Sequence, residues 1–162
     1  MRCYRRSVRR TMIVVLLLAA GLPGCKGESR SPLLDAARAC AAKGSELSCP
    51  RPIFNVRDLR ASTRYFHDVL GFNVDWVYGE PPDFGSVSRG DAVLFLCMGC
   101  QGSPGAWSMM FSPDVDRLHD ELRRRKAIIK MPPTDMPWHV REMHVADPDG
   151  NVLRIGTGID DD

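Results

Sequence analysis

The sequence predicts an α+β fold made of two paired βαβββ modules. Two observations carry that expectation. A strand, a helix and three further strands occur twice in the same order between Arg51 and Gly156, as in an internal repeat. Each run is too short to bury both faces of its own sheet, so the two have to pack as a pair.

The first module opens with Pro52 to Arg57, which alternates like a strand. Asp58 follows as a helix cap, and Leu59, Tyr65, Phe66, Val69 and Leu70 recur behind it at helical spacing. Gly71 ends the helix, because glycine readily takes the left-handed conformation that closes a last turn. Phe72 to Tyr78, Gly85 to Arg89 and Ala92 to Met98 then read as strands, with Arg89-Gly90-Asp91 as a tight turn. The second module begins with the strand Trp107 to Phe111 and the helix start Ser112-Pro113-Asp114. Val115, Leu118 and Leu122 form the buried stripe of a helix ending near Arg124. Ala127 to Met131, Val140 to Ala146 and Val152 to Gly156 supply three strands, and Asp147-Pro148-Asp149-Gly150 is a turn.

Ahead of the repeat, residues 1–24 read as an export signal: a basic start with Arg2, Arg5, Arg6, Arg9 and Arg10, then an apolar stretch from Met12 to Leu22. That stretch is about half of the roughly 20 apolar residues needed to span a bilayer, which favours a signal peptide over an anchor helix. Leu22, Gly24 and Cys25 resemble the lipobox of bacterial lipoproteins, which implies lipidation at Cys25 and an exported, membrane-anchored protein. Residues 25–50 read as a tether with one short helical pattern (Leu33, Leu34, Ala37, Ala41), residues 51–157 as the domain, and residues 158–162 as an acidic tail. Losing the five leader arginines from 22 basic residues leaves 17 against 20 acidic ones, so the mature chain is near −3. Such a charge gives nucleic acid little to bind.

Several stretches carry a family resemblance: VRDLRASTRYFHDVLGF at 56–72, EPPDF at 80–84, DVDRLHDEL at 114–122 and PWHVREMHVADPDGNVLRIG at 137–156. In order and spacing they resemble the glyoxalase, bleomycin-resistance and extradiol dioxygenase (vicinal oxygen chelate) superfamily, and the last stretch is most similar to its bleomycin-resistance branch. The resemblance implies a curled mixed sheet around a cavity with helices on the outside. It also implies a small-molecule ligand and a homodimer.

Metal-dependent members of this superfamily carry His, Gln or Glu on the cavity face. The matching positions here are Arg51, Phe95, Trp107 and Arg154, two cations and two aromatic bodies that are no ordinary metal ligands. A one-residue register shift would only move each to the opposite face. The expectation is therefore no metal, no cofactor and no assigned catalytic residue. His139 and His144 are five apart on one strand, which puts them on opposite faces.

Alternation adds Asn55, Cys97, Met109 and Phe111 to the cavity wall, with Trp76, Trp138 and Arg141 at its rim. The wall suits a flat or amphipathic ligand with a polar or acidic group. Arg154, if buried, needs an anionic partner from the protein or the ligand. Export favours disulfides, with Cys40 and Cys49 as one pairing, while Cys97 and Cys100 read as a structural disulfide, free thiols or a redox pair. The leading functional expectation is a non-catalytic binding or sequestering domain. The alternatives are a lyase- or dioxygenase-like enzyme drawing on His139, Glu142, His144 and Asp147, and a structural or partner-binding lipoprotein whose cavity is filled by its own side chains.

Overall fold

The computed structural model describes residues 35, 37–39, 44, 49–100 and 105–159. The leader, Cys25, Cys40 and residues 160–162 lie outside the described residues. Asp35 and residues 37–39 are helical, which is the part of the tether helix that can be seen. Cys49 is disulfide-bonded, although Cys40, its expected partner, is not among the described residues. No helix of the described residues is long and apolar enough to cross a membrane.

The repeat is present in full. The first module runs β1 (Ile53–Val56), α1 (Leu59–Arg64, continued by a π-helical stretch Tyr65–Val69), β2 (Asn73–Gly79), β3 (Pro82–Arg89) and β4 (Ala92–Met98). The second runs β5 (Trp107–Phe111), α2 (Val115–Arg124), β6 (Ile128–Met136), β7 (Val140–Ala146) and β8 (Val152–Gly158). Asp58 and Asp114 cap the two helices through their carboxylates, accepting from Ala61 N and Arg117 N at 2.9 Å each. Gly71 closes the first helix at φ +72°, as expected.

Each module forms one four-stranded mixed sheet, in the orders β1-β4-β3-β2 and β5-β8-β7-β6. The first strand lies parallel beside the last one in both. The α+β class and the paired modules are thus as the sequence predicts, but the two sheets stay separate and do not close around a cavity. β1 and β5 are left as edge strands. Three strands are longer than their sequence pattern shows, β8 by its last two residues. β3 starts at Pro82, where a strand's first residue tolerates a missing N–H. β6 runs on through Pro132 and Pro133 to Met136, which an edge strand permits.

A single core joins the modules: Phe54, Leu59, Phe66, Leu70 and Leu94 meet Val115, Leu122, Met143, Leu153 and Ile155, all buried. Phe66 stands edge-on to Phe72 with centroids 5.4 Å apart. The modules are also tied by polar contacts. The Tyr65 hydroxyl of α1 donates to Ala146 O and accepts from Ile128 N, both at 3.0 Å, so one side chain stitches β6 and β7 to the other module's helix.

Burial holds the Tyr65 phenol above its ordinary pKa. Tyr65→Phe is expected to cost about 1–3 kcal/mol at pH 7, because both backbone partners lose a hydrogen bond. Since the folded phenol keeps its proton longer than the unfolded one, this contribution is complete below the ordinary tyrosine value and fades as pH rises through the folded value. Urea denaturation of both proteins on the two sides of pH 10 should show the gap narrowing on the alkaline side.

Candidate functional site

The register of the second sheet decides which side chains share a face. Trp107, Met109 and Phe111 on β5 stand beside Val152, Arg154 and Gly156 on β8, which stand opposite Ala146, His144 and Glu142 on β7. Because Met143, Val145, Leu153 and Ile155 fill the core, this set points away from it. Trp107 is 59% exposed and Phe111 74%, with Met109 and Trp138 also open, so the second sheet presents a bare aromatic and thioether face. Gly156 keeps that face low, since a Cβ there would lie 2.5 Å from Val140 Cγ1 and 3.1 Å from Met109 Cε.

Under the aromatic layer sits an ion pair. Arg154 Nε donates to Glu142 Oε2 at 2.9 Å and Nη2 lies 2.8 Å from Oε1. Glu142 is 1% exposed and the Arg154 side chain 35%. The anionic partner that Arg154 requires is thus a residue of the protein, and Trp138 covers the guanidinium with its ring centroid 5.1 Å from Cζ. His144 lies beside them, its Nε2 3.5 Å from Glu142 Oε1 but in no hydrogen bond. The Trp107 indole meets its ring edge-on, with centroids 5.0 Å apart at 83°.

Arg141 does not belong to this site. It lies on the opposite face from its neighbour Glu142, where it donates to Asp116 of α2 at 2.8 and 2.9 Å and to Asp135 of β6 at 2.8 Å. The guanidinium holds the Asp116 carboxyl below its usual range, and the two carboxylates push the Arg141 value up.

The corresponding face of the first sheet is mostly filled. Trp76, Phe84 and Phe95 pack on one another with centroids 5.3 to 5.6 Å apart. Phe84 escaped the sequence reading, although its alternation with Ser86 in β3 was the signal that could have found it. Asp75, at an irregularity in β2, accepts from the Ser86 and Ser88 hydroxyls at 2.7 and 2.6 Å. Asn55 donates from Nδ2 to Cys100 O at 3.2 Å, and Cys97 and Cys100 are joined by a disulfide. Phe95, Trp76 and Asn55 are therefore partnered within the protein, whereas Trp107, Met109 and Trp138 are open. A cleft of about 810 Å³ between the start of β1, the start of β4 and the middle of β5 brings Arg51 to Met109. A second cavity, of about 550 Å³, lies between the modules, floored by Leu122, Leu153 and Ile155.

A divalent ion of the family type does not fit these residues. Arg154 and Trp107 stand at positions that the family resemblance matches to metal ligands, and the adjacent carboxylate of Glu142 has both oxygens engaged by Arg154. Among the described residues no three His, Cys, Asp or Glu side chains gather closely enough to hold a metal.

Comparison with known proteins agrees with the architecture. The model of the Glyoxalase/Bleomycin resistance protein/Dioxygenase superfamily matches residues 50–155. No curated protein sequence matches significantly. Among solved structures, the bleomycin-binding protein of bleomycin-producing Streptomyces verticillus, in complex with copper(II)-bleomycin, is 26% identical. The match covers 70% of this chain and 98% of that one, with a TM-score of 0.60. A bleomycin resistance determinant encoded on the transposon Tn5 matches at 17% identity over 69% of this chain and 98% of its own, TM-score 0.59. TioX from Micromonospora sp. ML1 matches at 16% identity over 68% of this chain and all of its own, TM-score 0.59. The last two, at such identity, attest the fold alone.

Proposed function

Because this chain belongs to the glyoxalase/bleomycin resistance protein/dioxygenase superfamily, we propose that it is a binding protein that holds a small aromatic or amphipathic ligand, without metal and without turnover. The observation that carries this reading is the bare face of the second sheet. Exposed Trp107, Met109, Phe111 and Trp138 surround an Arg154–Glu142 pair that stands where a metal site would be built. The 26% identical relative is a bleomycin-binding protein, which supports binding as the activity. We further propose that Cys25 carries the lipid of an exported, membrane-anchored lipoprotein, as the leader's basic and apolar segments support.

A face this apolar on a soluble domain calls for a cover. A second copy supplies one if its β5 edge extends the β1 edge of the first and the reverse, which lays one chain's second sheet beside the other's first sheet. The site is then a groove between two protomers.

The test is calorimetric titration of the intact protein with 2-naphthamide, an uncharged planar probe. Saturable binding with the probe recovered unchanged is expected, weakened about tenfold or more in Trp107→Ala. After exposure to zinc, nickel, manganese and iron and then dialysis, elemental analysis should find no stoichiometric metal. One metal per chain would instead establish a displaced metal centre and put the enzyme reading first.

A further inference from the structure

The His144 side chain is 18% exposed, but its Nε2 atom is buried. Its Nε2 is out of reach of water and is the one buried side-chain nitrogen or oxygen among the described residues that makes no hydrogen bond. Native proteins leave few such atoms, since each costs the desolvation of a polar group. Glu142 does not relieve it, because both carboxylate oxygens are turned to Arg154 and the 3.5 Å approach to Nε2 is outside hydrogen-bonding geometry.

His144 is also the direct cross-strand neighbour of Arg154, so their side chains rise from the sheet together. Arg154 spends Nε and Nη2 on Glu142, which leaves Nη1 outside that pair. Glu142 beneath and Trp138 above hold the guanidinium in a fixed orientation. Two nitrogen donors are therefore placed side by side with an indole against each: Trp107 against the imidazole and Trp138 against the guanidinium.

We infer that His144 and Arg154 together receive the acidic oxygens of a planar aromatic acid, a carboxylate or its sulfonate equivalent, with the ring held by Trp107 and Trp138. This rests on the reading of the second sheet as the ligand face and names the ligand class for it. Trp107, largely exposed, is the cover that swings aside to open Nε2, and the acid supplies the hydrogen bond that the protein withholds. Planar oxygen acids suit the arrangement because two adjacent N–H donors match two oxygens on one atom.

The test compares 2-naphthoate with 2-naphthamide, which share a ring system and differ in charge. Calorimetry on the intact protein is expected to show naphthoate binding about tenfold tighter or more. His144→Phe, which fills the same space without a polar atom, is expected to remove most of that preference, lowering naphthoate affinity far more than naphthamide affinity, and to raise Tm by about 4 °C. A merely structural histidine would not move the ratio between the probes. Glu142→Gln/Arg154→Met, which removes both charges together, is expected to abolish the preference. If naphthamide binds as well as naphthoate, or the preference survives in His144→Phe, the acid inference is overturned and the ligand face stands. If neither probe binds, the ligand face itself is overturned.

Discussion

Arg154→Met is expected to destabilise the domain by about 3–5 kcal/mol, because it strands a buried carboxylate whose two oxygens are both held by that guanidinium. The asymmetry of the pair sets the direction. Glu142 is almost wholly buried and Arg154 is partly in water, so removing the carboxylate frees a cation that can hydrate, whereas removing the cation leaves an anion that cannot. Glu142→Gln is accordingly the milder single change. Denaturant melts of the two single variants and the double variant at pH 5 and pH 8 measure the coupling; equal losses for the two single changes would show that burial does not govern this pair.

Asn151→Ala is expected to cost about 3–5 kcal/mol, since four groups, the buried Asp147 carboxylate among them, lose a partner at once. Asn151, fully buried, donates to Asp147 Oδ2 at 2.8 Å and to Asn55 O at 3.1 Å, and its Oδ1 accepts from Gly105 N at 3.2 Å and Ala106 N at 3.1 Å. One amide thus fastens β1 of the first module to the start of β8 and to the approach to β5. Around it, Asp149 accepts from Arg57 and Ser62 of the first module. Burial keeps the Asp147 carboxyl above its usual pKa, with the bonds from Asn151 opposing that shift. Without the amide the shift grows, so the variant's deficit should widen as pH rises from about 4 towards neutrality. Chemical denaturation across that range checks it, and a deficit below about 1 kcal/mol would show that the loop holds without its amide.

Much of the fold was legible because local signals agreed. Asp58 and Asp114 cap where their positions suggest, and β4, β5 and β7 begin and end at the residues where alternation begins and ends. The overrun of β6 through Pro132 and Pro133 was hidden because proline reads as a strand stop unless the strand is known to lie at an edge. The cavity wall was half legible. Facing follows from parity along a single strand, which places Trp107, Met109 and Phe111 together. What Arg154 meets depends on how β7 is set against β8, and no single strand carries that register. Glu142 therefore entered only among the residues an enzyme would draw on and Arg141 as a rim cation, although one lies beneath the aromatic face and the other is tied to Asp116 on the far side. The packing of Trp76 and Phe95 around Phe84 is hidden for the same reason, since three strands have to be aligned before their rings meet.

Presenting unlike edges, β1 on one sheet and β5 on the other, has a consequence for assembly. A single two-fold rotation that joins β1 to β5 of another chain also joins β5 to β1, so growth through this junction stops at two, with β2 and β6 as the remaining edges. Any other rotation or translation that makes the same junction leaves one free edge at each end and extends into a ring or a filament. The symmetry of the first contact therefore separates a finite particle from a polymer built of identical bonds.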